Sequence, residues 1–241
     1  MSVVERVTLE PAFVLHARAY RESSDLLEVF GCHAGLVSLV ARGVRRAGSR
    51  LRPLLQPFRP LQLSWSGRSG GLMTLTGAEA DGAARELAGG LLLPAFYINE
   101  LLLRFLHRGD PHPQIFAAYG QALGQLAEGM AAEPVLRLFE MRLLAETGYG
   151  LNLDHEALSG DPLEPDAGYQ YLVEQGPVRV VQGAMGSAPV FSGADLLAMA
   201  RGELDAASTL HSARRLLRLV LDHHLGGRPL RTRQVARAMR H

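Results

Sequence analysis

The stretch AFVLHARAYRESSDLLEVFGCHAGLVSLVARG, residues 12–43, decides the fold of the N-terminal part of the chain. It contains three β-rich runs, at 12–20, 25–31 and 36–43, which are separated by turn-forming residues. The first run alternates between two sets of side chains, and a period of two is typical of a β-strand. The stretch therefore predicts three consecutive short strands.

Two further runs, at 57–65 and 72–79, extend the pattern, and five short strands at this spacing favour a small barrel or sandwich. From about residue 83 the period becomes helical. We therefore predict an α+β multidomain chain: a five-stranded OB-fold β-barrel over residues 1–80, then a mainly α-helical domain over 81–241 with an irregular insertion at about 151–190. Helices are predicted at 94–109, 111–130, 133–150, 192–203, 205–227 and 229–240.

The composition is that of an ordinary globular protein, with 241 residues, 47% hydrophobic and 20% charged. The longest apolar run, at 91–96, is far below the roughly 20 residues that a membrane span needs. A single cysteine, Cys32, excludes an internal disulfide and a multi-cysteine zinc site. We therefore expect a cytoplasmic protein with no membrane association and no cofactor.

Charge is distributed unevenly along the chain although the net charge is only +1. Residues 29–78 hold seven arginines and no acid, whereas residues 79–205 carry a charge of −11. All 25 basic residues are arginine, and guanidinium groups bind phosphate bidentately and stack on bases. A solvated loop is the alternative interpretation of such a basic run. The absence of acids favours binding to an anionic polymer, and the candidate nucleic-acid-binding residues are Arg42, Arg45, Arg46, Arg50, Arg52, Arg59 and Arg68, with Trp65 as a stacking partner.

The C-terminal residues 206–241 are also basic, with a charge of +7. An amphipathic helix with a solvated polar face explains this as well as a second phosphate-binding patch does. The candidate residues of that patch are Arg214, Arg215, Arg218, Arg231, Arg233 and Arg237.

Enzyme signatures are missing from the sequence: it has no phosphate-binding loop, no dinucleotide fingerprint and no nucleophile elbow. A metal or catalytic role for Asp154, His155 and Glu156 would need a further histidine or cysteine nearby, and a polar loop is the better interpretation. His223 and His224 are adjacent on a predicted helix, where their side chains point about 100° apart. We therefore expect no catalytic residues.

Six segments together resemble the RecO family of bacterial recombination mediators, and the resemblance covers nearly the whole chain. They are AFVLHARAYRESSDLLEVF (12–30), GLVSLVARGVRRAGS (35–49), LLQPFRPLQL (54–63), YINELLLRFL (97–106), EPVLRLFEMRLLAETGYGLNLD (133–154) and LGGRPLRTRQV (225–235).

The resemblance implies an N-terminal OB-fold, a helical C-terminal domain, and a DNA-repair function without catalysis. It implies binding to single- and double-stranded DNA, annealing of complementary strands, and nucleoid association during repair. The implied partners are RecR and the C-terminal tail of the single-strand-binding protein, so that RecA can load on covered strands. A general single-stranded RNA- or DNA-binding OB-fold protein without a mediator role is the alternative.

The family also implies two local features. Many members carry a four-cysteine zinc motif, but residues 151–185 here have no cysteine, so the chain resembles the zinc-free branch, and we expect no structural metal. An arginine on the helix that begins EPxLR grips the partner's tail carboxylate, and the matching residue is Arg137. The expected groove walls are Tyr97, Leu101, Leu136 and Phe139, and an ordinary ion pair of Arg137 with Glu133 or Glu140 is the alternative.

Overall fold

Five strands form a closed barrel at the N-terminal end of the computed structural model, which describes residues 4–68, 72–82, 87, 89–180 and 188–239. The strand order is β1-β2-β3-β5-β4, with β3 and β5 parallel and the other neighbours antiparallel. The predicted OB-like barrel followed by helices is therefore confirmed. The strands are β1 (Val4–Tyr20), β2 (Ser24–Gly31), β3 (Gly35–Ala41), β4 (Leu61–Arg68) and β5 (Met73–Ala80).

The long strand β1 closes the barrel because it pairs with a different strand along each half. Its first half pairs with β4 and its second half with β2, and the register shifts between Val7 and Glu10 and again between Val14 and His16. Such bulges bend a strand and increase its twist. The interior is filled by alternate residues of the five strands, including Val14, Leu27, Leu39, Leu63 and Trp65.

Two helices cover the outer face of β1 around Phe13, so residues 12–15 of that strand are buried. Phe13 lies on the face opposite Val14 and contacts Phe116 and Tyr119, with ring centroids 5.2 and 4.9 Å apart. The side chain of Asn99 donates to the carbonyl of Leu15 (2.8 Å) and accepts from the hydroxyl of Tyr119 (2.6 Å). These helices are α1 (Leu92–Phe105) and α2 (Pro113–Ala127), preceded by a short 3₁₀ turn at Gly89–Leu91.

The remaining helices and a small sheet belong to the second half of the chain. The sheet has the order β7-β6-β8, and its middle strand buries Tyr169 while β8 buries Phe191. α5 packs against α3 and α4 through an apolar stripe that includes Leu217 and Leu221. The elements are α3 (Ala132–Glu146), β6 (Gly168–Leu172), β7 (Gly176–Arg179), β8 (Val190–Ser192), α4 (Gly193–Ala200), α5 (Ala207–His224) and α6 (Arg231–Ala238).

The chain divides into two compact units, residues 1–130 with 235–241 and residues 131–234. The first unit contains the barrel with α1 and α2, and the second contains α3, the small sheet, α4 and α5. The insertion that the sequence predicts at about 151–190 contains the sheet strands β6 and β7, and residues 181–187 lie outside the described residues.

Candidate nucleic-acid interface

The loop between β3 and β4, residues 42–60, is held against the barrel by apolar anchors. Val44 and Leu55 are 2% and 4% exposed and belong to the barrel core. The chain turns at Gly43, whose φ of 70° is a left-handed conformation that glycine adopts freely. The backbone N–H of Arg45 donates to the carbonyl of Ser23 (3.0 Å), which fixes the loop beside the β1–β2 turn. We call residues 42–60 the arginine loop.

The arginines of this loop extend into solvent between the anchors. None of the seven candidate arginines lies within ion-pair distance of a carboxylate in the described part of the chain. Arg59 differs from the others because it is partly buried, and its Nε has no hydrogen-bond partner among the described residues. The exposed candidates are Arg42, Arg45, Arg46, Arg50 and Arg52 in the loop and Arg68 at the end of β4.

A cleft of about 440 Å³ lies between the β1–β2 turn, the start of the arginine loop and β5. Three guanidinium groups line it, those of Arg21, Arg42 and Arg46, and no acid does. Hydroxyl groups of Ser23, Ser24 and Thr74 add neutral donors to the same lining. Such a combination suits a phosphate group, because arginine forks and hydroxyls both donate to phosphate oxygens.

Sequence reasoning missed Tyr20 and Arg21, which also line this cleft. The guanidinium carbon of Arg21 lies 5.2 Å from the centre of the Tyr20 ring, a cation–π contact. These two residues lie in the acidic first 28 residues of the chain, so charge counting gave no signal for them. Only the pairing of β1 with β2 and the bond from Arg45 to Ser23 bring them to the arginine loop.

Trp65 was predicted to lie at the interface, but the structure places it inside the barrel. Its side chain is 1% exposed and belongs to the core of the barrel. Leu61, Leu63 and Trp65 are two residues apart on β4, so they share the inner face of the strand. A base cannot stack on a ring that is packed inside the barrel, so Trp65 is not available to nucleic acid in this structure.

The second candidate patch differs from the arginine loop because most of its charges already have partners. Arg214 lies 3.7 Å from Glu133, and Arg215 stacks over Phe191 at 5.5 Å. Arg218 and Arg233 both pair with Asp222, at 3.6 and 2.5 Å. Arg231 and Arg237 are exposed on α6. The net field of these residues is weaker than their number suggests.

Arg137 lies on α3 and is buried, with 8% of its surface exposed. It donates to Glu140 at 2.7 Å, and this carboxylate is itself 0% exposed. The Arg137 Nε is buried and has no hydrogen-bond partner among the described residues. The alternative interpretation of Arg137, an ion pair with Glu133 or Glu140, is therefore realised with Glu140. The pair is buried and is not exposed to solvent.

The residues expected to form a groove around Arg137 are mostly buried, which corrects the prediction. Tyr97, Leu101 and Phe139 are 7%, 0% and 3% exposed, because they belong to the apolar stripes by which their helices pack. Tyr97 and Leu101 lie in the first unit, and Leu136 and Phe139 lie in the second. Only Leu136 is part-exposed.

The polar residues considered for catalysis have structural partners. His155 Nδ1 lies 2.9 Å from the Asp154 carboxylate, and both side chains are exposed. Glu156 accepts from the backbone N–H of Arg179 (3.0 Å), so it fixes the end of β7. Burial, and then the nearby Glu10 charge, raise the pKa of the Cys32 thiol, which disfavours the reactive thiolate.

Comparison with known proteins identifies the family of the chain over nearly its whole length. Residues 5–82 match the family description "Recombination protein O N terminal", and residues 90–234 match "Recombination protein O C terminal". The chain belongs to the RecO family.

Individual RecO relatives match along nearly their full length. The DNA repair protein RecO of Aromatoleum aromaticum is 45% identical over 239 residues, covering 99% of each chain. Those of Nitrosococcus oceani and Nitrosospira multiformis are 48% and 45% identical, covering 98% and 96% of this chain and 95% of each relative. The family assignment supports a role in DNA repair and recombination. No helix in the described residues of this RecO family member is long and apolar enough to cross a bilayer.

Proposed function

We propose that this protein binds single- and double-stranded DNA through the arginine loop and anneals complementary strands without bond chemistry of its own. The observation that carries the proposal is the set of exposed loop arginines that have no carboxylate partner among the described residues. An unpaired guanidinium binds a phosphate without first giving up an internal partner. The release of condensed counterions from DNA then drives association.

Annealing follows from the same charges. Two complementary strands repel each other through their phosphates, and a surface that neutralises several phosphates lowers this repulsion locally. The cleft that contains Arg21, Arg42 and Arg46 would hold one backbone phosphate, and Tyr20 would offer an aromatic face beside it. No proton transfer or nucleophile is needed, so we expect no enzymatic activity.

We further propose the mediator role that the RecO resemblance implies. In it the protein contacts RecR and the C-terminal tail of the single-strand-binding protein, and RecA then loads on the strand. Arg137 is the candidate for the tail carboxylate. Because it is paired with Glu140 at 2.7 Å, it would have to exchange this partner for the tail, so we expect tail binding to be weaker than the charge alone suggests.

Strand annealing in the presence of the single-strand-binding protein tests this function. Complementary strands should anneal faster with the wild type than without it. A variant with Arg45, Arg46 and Arg50 changed to glutamate should give no such increase. Equal annealing by both proteins would refute the role of the arginine loop.

Competition between labelled single-stranded DNA and RNA of the same sequence separates the mediator from a general nucleic-acid binder. The proposed function predicts that RNA competes less well than DNA. RNA that competes better, together with no annealing of covered strands, would favour the general binder.

A further inference from the structure

The C-terminal end of α5 and the β6–β7 turn bring three metal-binding side chains together within the second unit. Glu174 lies in the turn, and His223 and His224 are the last two residues of α5. One ligand atom from each residue lies within 4.8 Å of the other two. We propose that these residues form a site for a divalent transition-metal ion such as Zn²⁺, which clamps the β6–β7 turn to α5.

The distances fit such an ion. Zn²⁺ binds imidazole nitrogen and carboxylate oxygen at about 2.0–2.2 Å, so two ligand atoms in a tetrahedral site lie roughly 3.4 Å apart. His223 Nε2 and Glu174 Oε1 are already 3.4 Å apart. The other pairs need to move inward by no more than about 1.5 Å, and rotation of the exposed side chains of Glu174 and His223 provides this.

The local electrostatics favour a cation. The C-terminal end of a helix carries partial negative charge because its peptide dipoles are aligned, and the Glu174 carboxylate adds a full charge. Arg218 and Arg233 pair with Asp222, at 3.6 and 2.5 Å, so these two cations are engaged elsewhere.

Adjacent histidines on a helix point about 100° apart, which would be expected to keep them from sharing a metal ion. In this structure the two imidazole rings nevertheless lie close together, at different angles. The rings of His223 and His224 are 5.1 Å apart and nearly perpendicular, at 87°. The His224 ring is fixed by stacking on Tyr149 at 4.1 Å. His223 is free to turn toward the ion, while His224 is a preset ligand beside a cleft of about 300 Å³.

Glu174 also has a backbone conformation that a glycine would adopt more easily. Its φ is 69°, in the left-handed region, where a side chain is unfavourable. The variant Glu174→Gly therefore removes a ligand without damaging the turn. This property makes it a sharper test than a substitution that strains the fold.

Titration of the metal-free full chain with Zn²⁺, followed by calorimetry and by thermal unfolding, tests the proposal. The wild type should bind one Zn²⁺ and unfold at a higher temperature with the ion than with a chelator. Glu174→Gly and His223→Ala should lose more than the roughly tenfold to hundredfold in affinity that an outer-sphere change costs. Without metal, Glu174→Gly should be at least as stable as the wild type.

His155→Ala is the matched control, because His155 is also an exposed histidine beside a carboxylate but belongs to no group of three metal-binding side chains among the described residues. It should bind Zn²⁺ like the wild type. The proposal is overturned if the wild type does not bind Zn²⁺, or if Glu174→Gly and His223→Ala bind it as tightly as His155→Ala.

Discussion

Arginine side chains have different surroundings in the arginine loop and in the second unit. In the loop, Arg42, Arg45 and Arg46 are exposed and have no carboxylate within reach in the described residues. In the second unit most arginines are matched to acids, as Arg142 is to Glu146 at 3.0 Å. A paired guanidinium stabilises its own fold modestly, whereas an unpaired one keeps its charge for a ligand. On the proposed function, the position of the acids, more than the number of arginines, decides which surface binds DNA.

Reversing the charge of the unpaired arginines should have the largest effect. The triple variant Arg42→Glu, Arg45→Glu, Arg46→Glu should lose roughly a hundredfold or more in affinity for single-stranded DNA, taking about 1 kcal/mol or more for each lost contact. The anchors Val44 and Leu55 are untouched, so the fold should be retained. Fluorescence anisotropy with a labelled oligonucleotide measures the change.

The matched control changes two paired arginines to glutamate, Arg142 and Arg201, whose partners Glu146 and Glu203 lie at 3.0 and 2.8 Å. DNA affinity should change by no more than about twofold. A loss as large as that of the loop variant would mean that net charge, and not the arginine loop, controls binding.

The buried pair of the second unit gives the next largest effect, on stability. Arg137→Ala removes the guanidinium 2.7 Å from the fully buried Glu140, and breaking a buried pair costs about 3–5 kcal/mol in the free energy of unfolding. Urea denaturation measures this cost. The double variant Arg137→Met, Glu140→Leu should recover most of it, because both charges are then absent.

The double variant is also the proper test of tail binding, since it keeps the fold. If Arg137→Ala costs less than about 1 kcal/mol, the pair is not buried in solution and the contrast with the arginine loop disappears.

A smaller effect should appear as acid sensitivity of the second unit. Burial pushes the pKa of the Asp195 carboxyl up, but hydrogen bonds from Ser212, Thr209 and Ser192 outweigh it and hold the pKa below its usual value. A depressed pKa stabilises the fold above the unfolded value of about 3.9 and loses this contribution as the pH falls through the folded value. Ser212→Ala should therefore cost about 1.5 kcal/mol at neutral pH and less in acid.

Urea unfolding of the wild type and Ser212→Ala at neutral pH and at pH about 3 measures this difference. The arginine loop contains no carboxylate, so its charge should not change over the same interval. A stability difference that is the same at both pH values would show that Asp195 does not titrate in this way.

The strands were predictable from the sequence, but the first part of β1 was not. Pro11 and the bulge between Val7 and Glu10 interrupt the alternation there, so the sequence predicted a strand from residue 12 while the structure begins it at Val4. Trp65 was assigned to the surface because of its chemistry, although its spacing from Leu61 and Leu63 already placed it on the inner face of β4.

The composition of the sites was less predictable than the strands. The loop arginines lie close together in the sequence, so sequence alone identified them. Arg21 joins them only through strand pairing, and Glu174 meets His223 across 49 positions of chain. No local sequence pattern indicates such contacts. The burial of the ion pair between Arg137 and Glu140 depends on how α3 packs.

The dependence of DNA affinity on salt tests the central claim most directly, because it counts the phosphate contacts. If the five exposed loop arginines each contact a phosphate, the plot of log affinity against log salt for single-stranded DNA should have a slope near about −3.5 in the wild type, and about −1.4 in the triple variant. Equal slopes in the two proteins would contradict the account, because the counterions would then be released somewhere other than at the arginine loop.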